Sequence, residues 1–122
     1  MRLFRKYATL LAAALALLLL AGCSSTGATL DASHATVIDV RTAAEYASGH
    51  LQGAANVDVQ SADFATKIAA YPKDGKYIVY CQSGVRAGNA ANQMKAMGFT
   101  DVTNAGGIDA ASKATGLPIV KS

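Results

Sequence analysis

From residue 36 onward, short apolar runs alternate with segments whose apolar positions recur at helical spacing. Residues 36–40 form an apolar run with one acid, Asp39, and read as a central strand. Thr42 with Glu45 three places on is the pattern of a capping box, and predicts a short helix through Ser48. Residues 49–53 read as a loop by their glycines, and 54–57 as a second, very short strand. Ser61 is placed to cap a helix to about Ala70, with Phe64, Ile68 and Tyr71 along one side. Pro72-Lys73-Asp74-Gly75 is a turn. Tyr77 to Tyr80, apolar, aromatic and β-branched, predicts a buried strand. Ala87, Ala90, Ala91, Met94 and Met97 mark a helix that Gly98 closes. Residues 99–103 suggest a fourth strand, 104–107 a loop, 108–115 a last helix, and 116–120 a cap and extended tail.

Strands alternating with helices at these lengths predict an α/β fold, a small parallel sheet of about four to five strands with helices on both faces. The strands are near-continuous apolar runs because both of their faces are covered.

The N-terminal pattern is different. A short basic start precedes an apolar run over 8–20 and then small residues, the layout of an export signal. That run is shorter than the ~20 residues a membrane-spanning helix needs. Leu20-Ala21-Gly22-Cys23 resembles the lipobox of bacterial lipoproteins, in which the signal is cut before the cysteine and lipid is attached to it. The expected organisation is a lipoprotein signal peptide over 1–22, lipidated Cys23 and a small, polar tether over 23–35, and one folded domain over 36–122. The expected location is the bacterial cell envelope, periplasm or outer face of the plasma membrane, with the membrane held through lipid on Cys23.

Charge narrows the partners. Arg2, Arg5 and Lys6 are three of the eleven basic residues and all lie in the signal; the other eight balance eight acidic ones. A near-neutral domain gives no basic patch for nucleic acid. Two histidines and one further cysteine give no metal-ligand spacing, so no metal and no cofactor is expected, and the domain is expected to be a monomer.

The candidate chemistry sits at Cys81-Gln82-Ser83-Gly84-Val85-Arg86, between the predicted central strand and a helix start. In open α/β sheets ligands bind at that edge. Backbone N–H groups of a tight loop and a helix N-terminus make an anion site, which favours a thiolate, and Arg86 adds a fixed positive charge. With Cys23 lipidated, Cys81 has no intrachain partner and is either reactive or a small buried hydrophobe; a Cys23–Cys81 disulfide is the other alternative. Arg86 either binds an anionic substrate or holds the loop through a carboxylate, with Asp39 the favoured partner. Arg41 and Glu45, four apart, are candidates for a second pair. His50, in the motif loop, is read as structural, and His34 as idle.

Taken in order, Asp39-Val40-Arg41, Glu45-Tyr46, Gly49-His50, Gly53-Ala54, Asn56, the stretch Tyr80 to Ala87, Gly98-Phe99, Gly106-Gly107 and Gly116-Leu117-Pro118-Ile119 resemble the signatures of a rhodanese, a sulfurtransferase domain. The resemblance implies a mechanism in which Cys81 takes the outer sulfur of a small anionic donor such as thiosulfate as a persulfide. A thiol or cyanide acceptor then removes it. Loop residues Gln82, Ser83, Gly84, Val85 and Arg86 would bind the anion, with Asp39, Arg41, Glu45 and His50 in support. The chain departs from the family at Ile108 and Ala111, where aromatic residues are usual, so a less aromatic pocket wall or core is expected there. Two other readings compete: a non-enzymatic sulfur carrier or partner-binding module at the cell surface, and a cysteine-based phosphatase with Asp39, Asp58 or Asp109 as its acid. The six positions from Cys81 through Arg86 favour sulfur transfer, since the related phosphatases use seven.

Overall fold

The computed structural model describes residues 30–122; the expected signal and Cys23 lie outside the described residues. Strand β1 (Thr36–Asp39) leads into helix α1 (Ala43–Ser48), then β2 (His50–Leu51), β3 (Ala55–Asn56), α2 (Phe64–Ala69), β4 (Lys76–Cys81), α3 (Val85–Ala96), β5 (Asp101–Gly107), α4 (Ile108–Thr115) and β6 (Ile119–Val120). Four strands form a parallel sheet in the order β3-β1-β4-β5. The expected α/β class and parallel sheet are what is found.

Alternation along β4 divides the core. Tyr77, Val79 and Cys81 face α2 and α3, meeting Phe64, Ile68, Ala87, Ala90, Ala91 and Met94. Ile78 and Tyr80 face the other way, toward Leu51, Ile108 and Ala111, with Tyr46 of α1 beside them. This period of two, with cover on both faces, is why the strand has no polar position between Lys76 and Cys81 beyond its tyrosine hydroxyls. Leu30, Ala32 and Ala35 pack on the second cluster, and Leu30 N–H donates to Ala114 O at 2.8 Å, so the packed part begins before Thr36.

Three local expectations shift. The helix after Ser61 starts at Phe64, because the Ser61 hydroxyl is spent on the Asp63 carboxylate and makes no cap. The loop over 49–53 contains β2, which pairs antiparallel with the C-terminal β6 (His50 with Val120, Leu51 with Ile119) and pins the tail. The loop over 104–107 is the end of β5, which stays paired with β4 up to Cys81 opposite Gly107, with a register shift between Val79 and Cys81. Glycine is a loop signal in sequence; here Gly107 is in a strand because another piece of backbone lies on it.

Candidate active site

Cys81 ends β4 and α3 starts at Val85, so the three residues between must turn the chain within a short span. Gly84 makes the turn at φ +101°, a left-handed conformation that side chains resist. The result is a directed donor: Gly84 N–H points at Cys81 Sγ, 2.9 Å away. A negative charge on that sulfur lies against this N–H and the N-terminus of α3. Cys81 forms no disulfide among the described residues and has no exposed surface; its sulfur lies beneath the loop. A reagent reaches it only when the loop yields, and Gln82, Ser83 and Val85 are exposed on its outer side.

Four attachments hold the loop. Underneath, a Cβ at Gly107 would run into Gln82 O, so the loop rests directly on the β5–α4 junction. On one flank Arg41 Nη1 donates to Gln82 Oε1 at 3.3 Å. On another, Arg86 makes a two-pronged pair with Glu45, at 2.7 and 2.9 Å. Behind, Asn104 Nδ2 donates to Gly84 O at 3.1 Å, while Asn104 Oδ1 accepts from Gly106 N–H at 2.8 Å.

The expected ion pairs are exchanged. Arg86 meets Glu45, not Asp39, and Arg41 meets Asp39, not Glu45. The spacing rule of four holds inside a helix. Arg41 precedes the cap Thr42 and is not helical, so its side chain turns back on the strand end. Arg41 Nη2 lies 2.7 Å from Asp39 Oδ2, Nε donates to both carboxylate oxygens, and Arg41 N–H donates to Oδ1. Glu45, third residue of α1, completes the expected capping box with Thr42 and projects toward the first turn of α3.

The electrostatics follow. The Arg86 guanidinium, with help from Thr42, lowers the Glu45 carboxyl to about 2. Arg86 and Arg41 are each pushed further up by hydrogen bonds to their carboxylates. Burial pushes the Tyr80 hydroxyl well up; that hydroxyl accepts Leu51 N–H at 2.9 Å, and Arg41 lies 5.8 Å from the ring centroid. Asn56 Nδ2 donates to the carbonyls of Asp39 and Arg41, tying β3 to the same turn.

His50 is buried, stacked on Tyr46 at 3.7 Å, with Nδ1 2.9 Å from Tyr46 O, a structural setting. His34 is exposed. Ile108 and Ala111 are both buried among Leu51, Ile78 and Tyr80, so the substitutions for aromatics fall in the core. Asp58 accepts Gln60 N–H in its own loop, and Asp109 lies exposed in the first turn of α4. Among the described residues no group of three His, Cys, Asp or Glu is placed to hold a metal.

Asn104 is the site residue that sequence reasoning missed. Its turn with Gly106 was legible, since Asn readily bonds the backbone two residues on. Its second bond, to Gly84 twenty residues back, is visible only in the fold.

Comparison with known proteins agrees with this geometry. The family described as Rhodanese-like domain matches residues 25–114. Thiosulfate sulfurtransferase PspE of Escherichia coli (strain K12) is 36% identical over 84 residues, 69% of this chain and 77% of that protein. Thiosulfate sulfurtransferase GlpE of Pseudomonas fluorescens (strain SBW25) is 42% identical over 69 residues, 56% of this chain and 61% of that protein. Among solved structures, a rhodanese with anions from E. coli superposes with a TM-score of 0.60 at 34% identity, covering 72% of this chain and 99% of that one. A rhodanese-like domain protein from Staphylococcus aureus gives 0.58 at 27% identity, covering 72% and 82%. The chain belongs to the rhodanese-like domain family.

Proposed function

We propose that this protein is a sulfurtransferase that carries a sulfane sulfur on Cys81, from a donor of the thiosulfate type to a thiol or cyanide. The observation that carries the reading is the Gly84 N–H aimed at Cys81 Sγ from a loop held from below, behind and on both flanks. The Cys81 thiolate attacks the donor's terminal sulfur; the S–S bond of the donor breaks and its electron pair leaves with sulfite. The product is a persulfide anion on Cys81. An acceptor thiolate or cyanide then takes that outer sulfur, and the Cys81 thiolate returns. The loop amides stabilise the anion at both stages. The names of the relatives support the same donor class.

The phosphatase reading is weaker on this geometry. Such an enzyme needs a general acid near the leaving group. Asp39 is buried without exposed surface under Arg41, and Asp58 and Asp109 have the surroundings described above. Anchoring to the cell envelope through lipid on Cys23 belongs to the proposal and rests on the lipobox alone.

Intact mass after thiosulfate treatment tests the chemistry. A cyanide-labile gain of one sulfur is expected in the wild type and not in Cys81→Ser. An adduct that persists in Cys81→Ser, or hydrolysis of an aryl phosphate with no sulfur transfer from any donor, overturns the reading. Detergent-phase partitioning tests the anchor: the wild type is expected in the detergent phase, Cys23→Ala is expected as an unanchored or an uncleaved precursor, and a wild type that stays in the aqueous phase overturns the lipoprotein reading.

A further inference from the structure

The side chains around Cys81 bear on which sulfur donor the site takes. Each arginine at this edge of the sheet is already bonded to a carboxylate, Arg41 to Asp39 and Arg86 to Glu45. Asp58 adds a third negative charge within the field of Arg86. The lysines at 67, 95 and 113 stand in the last turns of their helices, and these turns run away from the strand ends that build the site. The exposed side chains of the loop are an amide, a hydroxyl and an alkyl group: Gln82, Ser83 and Val85. Val85 is the residue after the Gly84 donor and is 79% exposed, an exposure that no packing within the fold explains. Cys81, by contrast, has no exposed surface, so the donor's reacting end must shed water to reach it.

Resting on the sulfurtransferase reading above, we infer that this loop selects sulfur donors carrying no more than one charge and an apolar tail, with Val85 as the contact for that tail. The donor class is an aryl or alkyl thiosulfonate or an organic persulfide, in preference to the thiosulfate dianion. Desolvation rises steeply with charge, and a dianion approaching a thiolate meets two like charges with no uncommitted cation in the loop to offset them. A monoanionic thiosulfonate halves that repulsion and lays its ring on Val85. The step balances as before: the Cys81 thiolate bonds to the terminal sulfur, the S–S bond breaks, and the electron pair leaves with the sulfinate of a thiosulfonate or with the thiolate of an organic persulfide.

The test measures kcat/KM for benzenethiosulfonate and thiosulfate in the wild type, Val85→Lys and Val85→Ala, with cyanide as acceptor. The wild-type ratio is expected to favour the thiosulfonate by at least about tenfold, beyond the ratio of the two donors toward a small free thiolate. Val85→Lys supplies the missing cation and should shift the ratio toward thiosulfate by about tenfold. Val85→Ala should shift it the same way by roughly threefold, through loss of the apolar contact. Added salt should speed thiosulfate turnover in the wild type, by screening like charges, and should do so less in Val85→Lys. Turnover of both donors with a ratio that neither variant moves overturns the donor inference and leaves sulfur transfer standing. No Cys81 persulfide from either donor takes down the sulfurtransferase reading and this inference with it.

Discussion

Two arginine–carboxylate pairs flank the Cys81 loop, and they do different work. Arg41 and Asp39 lie inside the protein, with side-chain exposures of 4% and 0%. Arg86 and Glu45 lie at the surface, at 25% and 33%. The first pair closes the end of β1: its donors and acceptors are met by Gly49 O and Gln82 as well as by each other, and Tyr80 packs beneath. The second joins two helix starts, α1 and α3, whose side chains pack in the core clusters on opposite faces of the sheet. A buried pair is weak evidence of net stabilisation, yet breaking it leaves a charge stranded in apolar surroundings. A surface pair adds little stability, although a two-pronged one fixes geometry. The inner pair therefore holds the fold and the outer pair aims the loop.

The inner pair gives the largest expected effect. Asp39→Asn leaves the Arg41 guanidinium buried without its counter-charge, and should destabilise the protein by about 3–5 kcal/mol in urea denaturation. Pairing it with Arg41→Met removes the stranded charge, and the double variant should lose clearly less than the two single losses added. A loss under about 1 kcal/mol for Asp39→Asn would erase the distinction between the two pairs.

The outer pair should separate activity from stability. Arg86→Ala is expected to cost about 1 kcal/mol in the same denaturation, while sulfur transfer falls by about 10–100-fold, the scale of a loop displaced by an ångström. The reverse pattern, large instability with transfer intact in the folded fraction, would reassign Arg86 to the fold.

These pairs also show what the sequence could and could not reveal. The order of the four parallel strands and the four helices was legible, because each apolar run is short, bounded by turn residues and of one period. The capping box of α1 was legible because all its atoms lie within four residues. The place of Cys81, at a strand end before a helix, was legible as well. The partners of Arg41 and Arg86 were not. Four acceptable acid–base combinations exist among Asp39, Arg41, Glu45 and Arg86, and the choice depends on Thr42 starting the helix one residue after Arg41. Nor was the reach of the Asn104 side chain to the Gly84 carbonyl, or the backbone pairing of β2 with β6, since each ends on a distant backbone group of a kind that every residue carries.

Asn104 sharpens the comparison from a third side, with a smaller effect. It bonds the carbonyl of Gly84, and the N–H of that same residue faces the sulfur. Asn104→Ala should lower stability by about 1 kcal/mol for the lost bonds. Transfer should fall several-fold, less than for Arg86→Ala, because Gly107 still supports the loop from below. Alkylation of Cys81 by iodoacetamide should quicken as the loop yields more often. Unchanged alkylation together with unchanged transfer would mean that Arg86 and Gly107 hold the loop without Asn104.

The smallest effect is the pH dependence of the outer pair. Glu45 titrates near 4.5 when unpaired and at about 2 in the fold. The folded state thus favours the carboxylate, so the stabilisation is complete above pH 4.5 and drains away as the pH falls toward 2. Both side chains are partly open to water, and screening holds the effect to about 1 kcal/mol, well below what a buried shift of that size would give. Denaturation of the wild type and Glu45→Gln at pH 6 should show that gap, since the glutamine amide keeps a cap oxygen and loses the charge. Near pH 2.5 most of the gap should close, and raising the salt at pH 6 should narrow it as well. A gap indifferent to both pH and salt would place the value of Glu45 in its bonds to Thr42 and not in its charge. The outer pair would then be a helix cap that happens to touch Arg86, and aiming the loop would fall to Asn104 and Gly107.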